Sequence, residues 1–179
     1  ETTAWESVHS GDGAYNGVAF NSNILTYSHQ NGNVYLSDYR NPFNWSLGYS
    51  WINMTPPSAT GMLFINPYVI NQSDEKILFY AGGSTIWRNN NINISDDVNK
   101  PYETTSTGIV SNQWEELTAL TSTSTITALT TTKASPENRL FYGDAAGQVY
   151  RRNGANTGTG ASLNVTSSDF PSNAYVSSI

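Results

Sequence analysis

Short apolar or aromatic runs alternate along the chain with polar stretches rich in Asn, Ser, Thr and Gly. Runs that are brief, β-branched or aromatic, and bounded by Gly, Asn, Pro or Ser read as strands rather than helices. One tetrapeptide returns three times, as Ile24-Leu25-Thr26-Tyr27, Ile77-Leu78-Phe79-Tyr80 and Arg139-Leu140-Phe141-Tyr142, with the tyrosines 53 and 62 residues apart. Each occurrence is followed by glycine and then by an apolar-aromatic pair: Gly32 with Val34-Tyr35, Gly82-Gly83 with Ile86-Trp87, and Gly147 with Val149-Tyr150. Glycine at those places suits a tight hairpin that needs a positive φ. The stretches 5–8, 51–55 and 114–118 each open on a tryptophan, and 163–166 takes that place in the last unit without one. A further strand is expected to open each unit, over 15–20, 64–70, 126–132 and 175–179.

Four strands per unit, repeated with this period, predict an all-β chain: a segment of a β-propeller, about three four-stranded antiparallel blades plus flanking strands. The expected division is an outer strand of a preceding blade over 1–10, blades over 11–60, 61–121 and 122–171, and the first strand of a next blade over 172–179. The second blade carries a polar insertion over 89–112, long enough to be an elaborated loop. The near-continuous apolar run at 76–81 requires cover on both faces, as a middle strand between stacked blades has. Three blades do not close a ring, so the chain is expected to be a piece of a longer protein, with blade faces covered by further blades of the same or another chain.

Composition narrows the chemistry. Ser, Thr and Asn number 22, 20 and 21 of 179 residues, while only 12% are charged. Aromatics at 12% exclude a disordered chain. Three Lys and five Arg against a net charge of −6 offer too few cations for a nucleic-acid partner or a polybasic membrane site. No apolar run is long enough to insert in a membrane as a helix. Without cysteine there is no disulfide, thiolate nucleophile or Cys-based zinc site.

His9 and His29 stand apart, without metal-binding spacing, and no nucleophile elbow occurs. Glu115-Glu116 are neighbours on one strand, so they point to opposite faces and cannot form a hydrolytic dyad by themselves. Asp74-Glu75 reads as a turn between strands. Asp12, in Gly11-Asp12-Gly13, is the one candidate cation ligand, set against its reading as a turn residue. Arg88 and Arg151 recur after Trp87 and Tyr150, which argues for a structural role in the repeat. Trp51, Trp87 and Trp114 also recur and are expected in the core. Tyr39, Phe43, Trp45 and Tyr49 do not recur, so the repeat does not require them, and they are the candidates for contact with a protein or carbohydrate ligand. No cofactor and no catalytic residue are expected.

The pattern W-x-x-l, a strand, l-x-Y-x-G, then G-x-[VI]-[YW] and, in the second and third units, Arg resembles the sortilin-type and photosystem-assembly-factor-type propeller repeats that also occur in xyloglucanases. Ser10-Gly11-Asp12-Gly13 followed by Gly32-Asn33-Val34-Tyr35-Leu36-Ser37 resembles large secreted propeller proteins of Bacteroidota that use type IX secretion. An Asp-box remnant runs from Ser37-Asp38 to Trp45 without the family's glycine and spacing. The resemblance implies a non-catalytic binding or scaffold module of a secreted or cell-surface bacterial protein. The alternative it implies is part of a carbohydrate-active enzyme, xyloglucanase- or sialidase-like, with its catalytic acids outside this segment.

Overall fold

The structure, a computed structural model, describes residues 11–38, 40, 52–92, 113–118, 120, 122–133, 138–158, 160–171 and 173–179. Within these residues twelve strands form three four-stranded antiparallel sheets, each a meander in chain order. Sheet A holds β1 (Gly13–Ala19), β2 (Ile24–His29), β3 (Val34–Asp38) and β4 (Ile52–Asn53). Sheet B holds β5 (Tyr68–Ile70), β6 (Leu78–Gly82), β7 (Thr85–Asn89) and β8 (Trp114–Glu116). Sheet C holds β9 (Ile126–Thr131), β10 (Arg139–Asp144), β11 (Val149–Asn153) and β12 (Ser162–Asn164). Among the described residues the only helix is one 3-10 turn, Phe20–Ser22.

The repeated tetrapeptide lies at the second strand of every sheet, and the apolar-aromatic pair at the third. Their registers match: Tyr27 pairs with Tyr35, Tyr80 with Trp87, and Tyr142 with Tyr150. Residues directly opposite in an antiparallel pair share a face, so each sheet has one aromatic face carrying these pairs. The opposite face carries Thr26, Val34 and Leu36 in sheet A, Phe79, Ile86 and Arg88 in sheet B, and Phe141, Val149 and Arg151 in sheet C.

The sheets stack on these faces in a constant sense. Ile24, Val34, Leu36 and Met54 of sheet A pack against Tyr68, Leu78, Tyr80, Trp87 and Trp114 of sheet B. Ile77, Phe79, Ala81, Ile86 and Leu117 from the other side of sheet B pack against Leu129, Leu140, Tyr142 and Tyr150 of sheet C. Sheet B is therefore buried on both sides, which explains why all of β6 is buried and why its sequence is a continuous apolar run. The first strands approach one another, β1 beside β5 and β5 beside β9.

Hairpin glycines serve this stacking as well as the turns. Gly32 adopts φ +76°, and a Cβ there would lie 2.4 Å from the Tyr80 hydroxyl oxygen and 2.6 Å from Met62 Cγ. Tyr80, from the next sheet, donates its hydroxyl hydrogen to the Gly32 carbonyl oxygen at 2.7 Å. Gly147 adopts φ +81° and packs on the backbone of Ala174, whose carbonyl oxygen would lie 2.6 Å from an added Cβ. In both hairpins a left-handed residue and a crossing neighbour leave no room for a side chain.

Three expectations shift. The strand expected over 64–70 begins only at Tyr68, because Pro67 has no N–H to give a ladder. Asn89 pairs with Leu78 and Trp114 as the last residue of β7, so it stands in the sheet rather than in the insertion. Residues 175–179 form no strand. Instead the Val176 N–H donates to the Asp144 carbonyl oxygen at 3.3 Å, the Thr127 hydroxyl donates to the Val176 carbonyl, and the Val176 side chain covers Gly143. These isolated contacts do not make the ladder that defines a strand. The expected strand over 5–8, Trp51, and the insertion from 93 to 112 lie outside the described residues.

Candidate functional site

Among the described residues, two faces do not pack on another of the three sheets: the aromatic face of sheet A, turned away from sheet B, and the aliphatic face of sheet C, turned away from it on the other side. On sheet A, Tyr27 and Tyr35 stand opposite each other with ring centroids 6.4 Å apart. His29 stacks on Tyr35 at 5.1 Å and lies 6.0 Å from Tyr27. Strict alternation of β2 puts Leu25, Tyr27 and His29 on this side, each partly buried, while Ile24, Thr26 and Ser28 are buried beneath sheet B. Burial, followed by the nearby Tyr35 and Asp12, pushes the Tyr27 hydroxyl above its ordinary value.

Asp12 is exposed at the edge of this strip. Its backbone N–H donates to Gln30 Oε1 at 3.0 Å, and the preceding Gly11 bends the chain with φ +113° just before β1. Tyr39, Phe43, Trp45 and Tyr49 lie outside the described residues. Asp38, at the end of β3, is 1% exposed. Asp38 Oδ1 accepts from the Arg40 backbone N–H at 2.8 Å, and its Oδ2 lies 2.6 Å from an Arg40 guanidinium nitrogen.

The other carboxylates have comparable structural duties. Asp144 takes the Ser122 hydroxyl at 2.7 Å and the N–H groups of Ala146 and Gln148 at 3.0 and 2.9 Å, closing the β10–β11 turn. Glu75 spans two sheets, accepting from the backbone N–H groups of Asn21 and Ser22 at 2.7 and 3.1 Å. Asp74 caps its own turn through the Lys76 N–H at 3.1 Å. Glu115 pairs with Arg88 on the sheet C side at 2.7 Å, while Glu116 stands opposite Trp87 on the other face. Adjacent on one strand, the two acids do point apart. Among the described residues no three His, Asp or Glu side chains come together as a metal site.

The joint between sheets B and C holds two arginines. Arg88, 4% exposed, also donates to the Ala155 carbonyl oxygen of the next sheet. Arg152, 1% exposed, donates to the carbonyl oxygens of Thr118 and Gly158. Burial, and after it the charge of Arg88, pulls the Arg152 guanidinium below its ordinary value. The Arg88–Ala155 and Arg152–Thr118 bonds cross-link neighbouring units, the structural role expected of the recurring Arg88; Arg151, its counterpart, makes no such bond among the described residues. Trp87 and Trp114 lie partly buried against the core between sheets A and B. The aromatic strip of Tyr27, His29 and Tyr35 escaped the sequence reading, although the pairing of the repeated tyrosine with the following aromatic was its signal.

A scan of the chain against protein-family models finds no match, and a search of curated proteins finds no relative.

Proposed function

We propose that this chain is a segment of a β-propeller and works as a non-catalytic binding or scaffold module of a secreted or cell-surface bacterial protein. The observation that carries the reading is the constant-sense stacking of three meander sheets with their first strands side by side, which suits blades set around an axis. The sortilin-type repeat resemblance agrees with it in period and in the position of the tyrosine and glycine. The carboxylates Asp38, Asp74, Glu75, Glu115 and Asp144 are engaged in turns and inter-strand links, which suits a scaffold better than acid–base work. Sheets outside the three described complete the ring in this reading. Its ligand is a protein segment or a carbohydrate, met through the aromatic stretch containing Tyr39, Phe43, Trp45 and Tyr49.

The test pairs activity with binding. The chain is assayed against polysaccharide and sialoside substrates, and its binding to the same glycans and to cell-surface protein fractions is measured with and without the double substitution Phe43→Ala and Trp45→Ala. The proposal expects no hydrolysis, an unchanged melting temperature and at least tenfold weaker binding in the variant, as loss of aromatic anchors gives. Turnover of any substrate, or a collapse of stability in the variant, refutes it.

A further inference from the structure

The joint between sheets B and C carries more positive charge than the groups around it neutralise. Arg88 of β7 and Arg152 of β11 enter it from facing sheets, 4% and 1% exposed. Their terminal nitrogens are bonded, those of Arg88 to Glu115 and the Ala155 carbonyl, those of Arg152 to the Thr118 and Gly158 carbonyls. Carbonyl oxygens satisfy donors but do not cancel a charge. Glu115 is the carboxylate that acts on both guanidinium groups, and its side chain is 58% exposed. Arg88 acts on Arg152 more strongly than Glu115 does. Two enclosed cations against one largely solvated carboxylate leave positive charge in excess, and uncompensated buried charge is costly.

Ser162 adds an independent observation. It stands directly opposite Arg152, so the two side chains share a face. Ser162 is 3% exposed, and its hydroxyl has no hydrogen-bond partner among the described residues. The equivalent pair in sheet B is Asn89 and Trp114, so sheet C sets a cation and a hydroxyl where sheet B has an amide and an indole. The Nε groups of Arg88 and Arg152 are also enclosed without a partner. Arg151 shares that feature on the opposite face of sheet C, so an unmatched Nε by itself marks no site. The B–C joint differs in combining excess charge with a buried, unmatched hydroxyl. An anion answers both, because it accepts from the donors and cancels the charge.

We propose that the joint between sheets B and C is a binding site for a small inorganic anion of the chloride type, held by the guanidinium groups of Arg88 and Arg152 and by the Ser162 hydroxyl. Side chains this deeply enclosed suit a monatomic occupant rather than a bulky one. The bound anion completes the neutralisation that Glu115 begins, and it ties sheet B to sheet C. The site lies between two sheets already in contact, so it depends neither on further blades nor on the propeller reading.

Urea unfolding in sodium chloride and in sodium gluconate at equal ionic strength tests this, with circular dichroism confirming that each variant folds. Above the chloride Kd, a tenfold rise in chloride raises the folding constant of the wild-type chain about tenfold, as one bound ion requires. Gluconate, too large for the site, gives no such rise. Ser162→Ala removes one neutral donor and weakens chloride binding about tenfold, with little change of stability in gluconate. Glu115→Gln lowers stability in gluconate, yet it tightens chloride binding about tenfold because the competing carboxylate is gone. A purely structural salt bridge gives no such gain. In Arg152→Met the two salts become equivalent; if that variant does not fold, the serine and glutamate variants decide. Equal stability of the wild-type chain in the two salts overturns the proposal, as does a chloride effect that Ser162→Ala and Glu115→Gln leave unchanged.

Discussion

Phe79 and Phe141 occupy the same repeat position in successive sheets, and the structure expects them to be energetically unequal. Phe79 is 0% exposed in the core between sheets B and C, touching the apolar groups of both. Phe141 is partly buried on the far side of sheet C and belongs to neither core cluster. Phe79→Ala removes the full transfer free energy of the ring and leaves a cavity that two sheets cannot easily collapse, a loss of about 3–5 kcal/mol. Phe141→Ala removes a ring packed on one side only and leaves no enclosed cavity, a loss of about 1 kcal/mol. At roughly 2–4 °C per kcal/mol for a chain of this size, the first lowers the melting temperature by about 6–20 °C and the second by a few degrees. Calorimetry on both variants in dilute solution, below any association, makes the comparison. Losses equal within about 0.5 kcal/mol, a margin typical of additive comparisons, refute the one-sided burial of sheet C.

Gly32→Ala meets the Tyr80 hydroxyl and Met62 at a positive φ and should cost about 2 kcal/mol, whereas Gly13→Ala, with nothing within 4 Å of the added Cβ, should stay within about 0.5 kcal/mol; urea midpoints of the pair check this. Asp144→Ala strips three hydrogen bonds from the β10–β11 turn and should lower stability by about 2–3 kcal/mol, read by the same titration. Burial pushes the Tyr68 hydroxyl up to about 12, above the unfolded value of about 10. Its contribution is therefore complete below pH about 10 and is lost as pH rises toward about 12; the urea midpoint should fall between pH about 10 and about 12, and less steeply in Tyr68→Phe.

The sequence alone determined the units. The returning tetrapeptides lie on β2, β6 and β10, the apolar-aromatic pairs on β3, β7 and β11, and Gly32, Gly83 and Gly147 take the positive φ their hairpins need. These features are local: alternation, β-branched content and turn chemistry act within a few residues and so are written in the chain. Where a local rule was overlooked, at Pro67, the strand began later than expected. The roles of equivalent residues were decided elsewhere. Tyr27, Tyr80 and Tyr142 end the same motif, yet Tyr80 caps the Gly32 carbonyl, Tyr142 stacks on Tyr150 at 4.9 Å, and Tyr27 joins a partly buried strip with His29 and Tyr35. Arg88 and Arg151 are likewise alike in sequence, but only Arg88 has the next sheet's carbonyl within reach. Period-two alternation gives every strand two faces and assigns residues to one or the other. It carries no information about which sheet will press on which face, because burial is a property of the neighbour, and the neighbour arrives from 50 or more residues away in the chain. Only the stacking of the sheets made the tyrosine position a core group in sheets B and C and a partly buried one in sheet A, and the phenylalanine position a core group in sheet B and a partly buried one in sheet C.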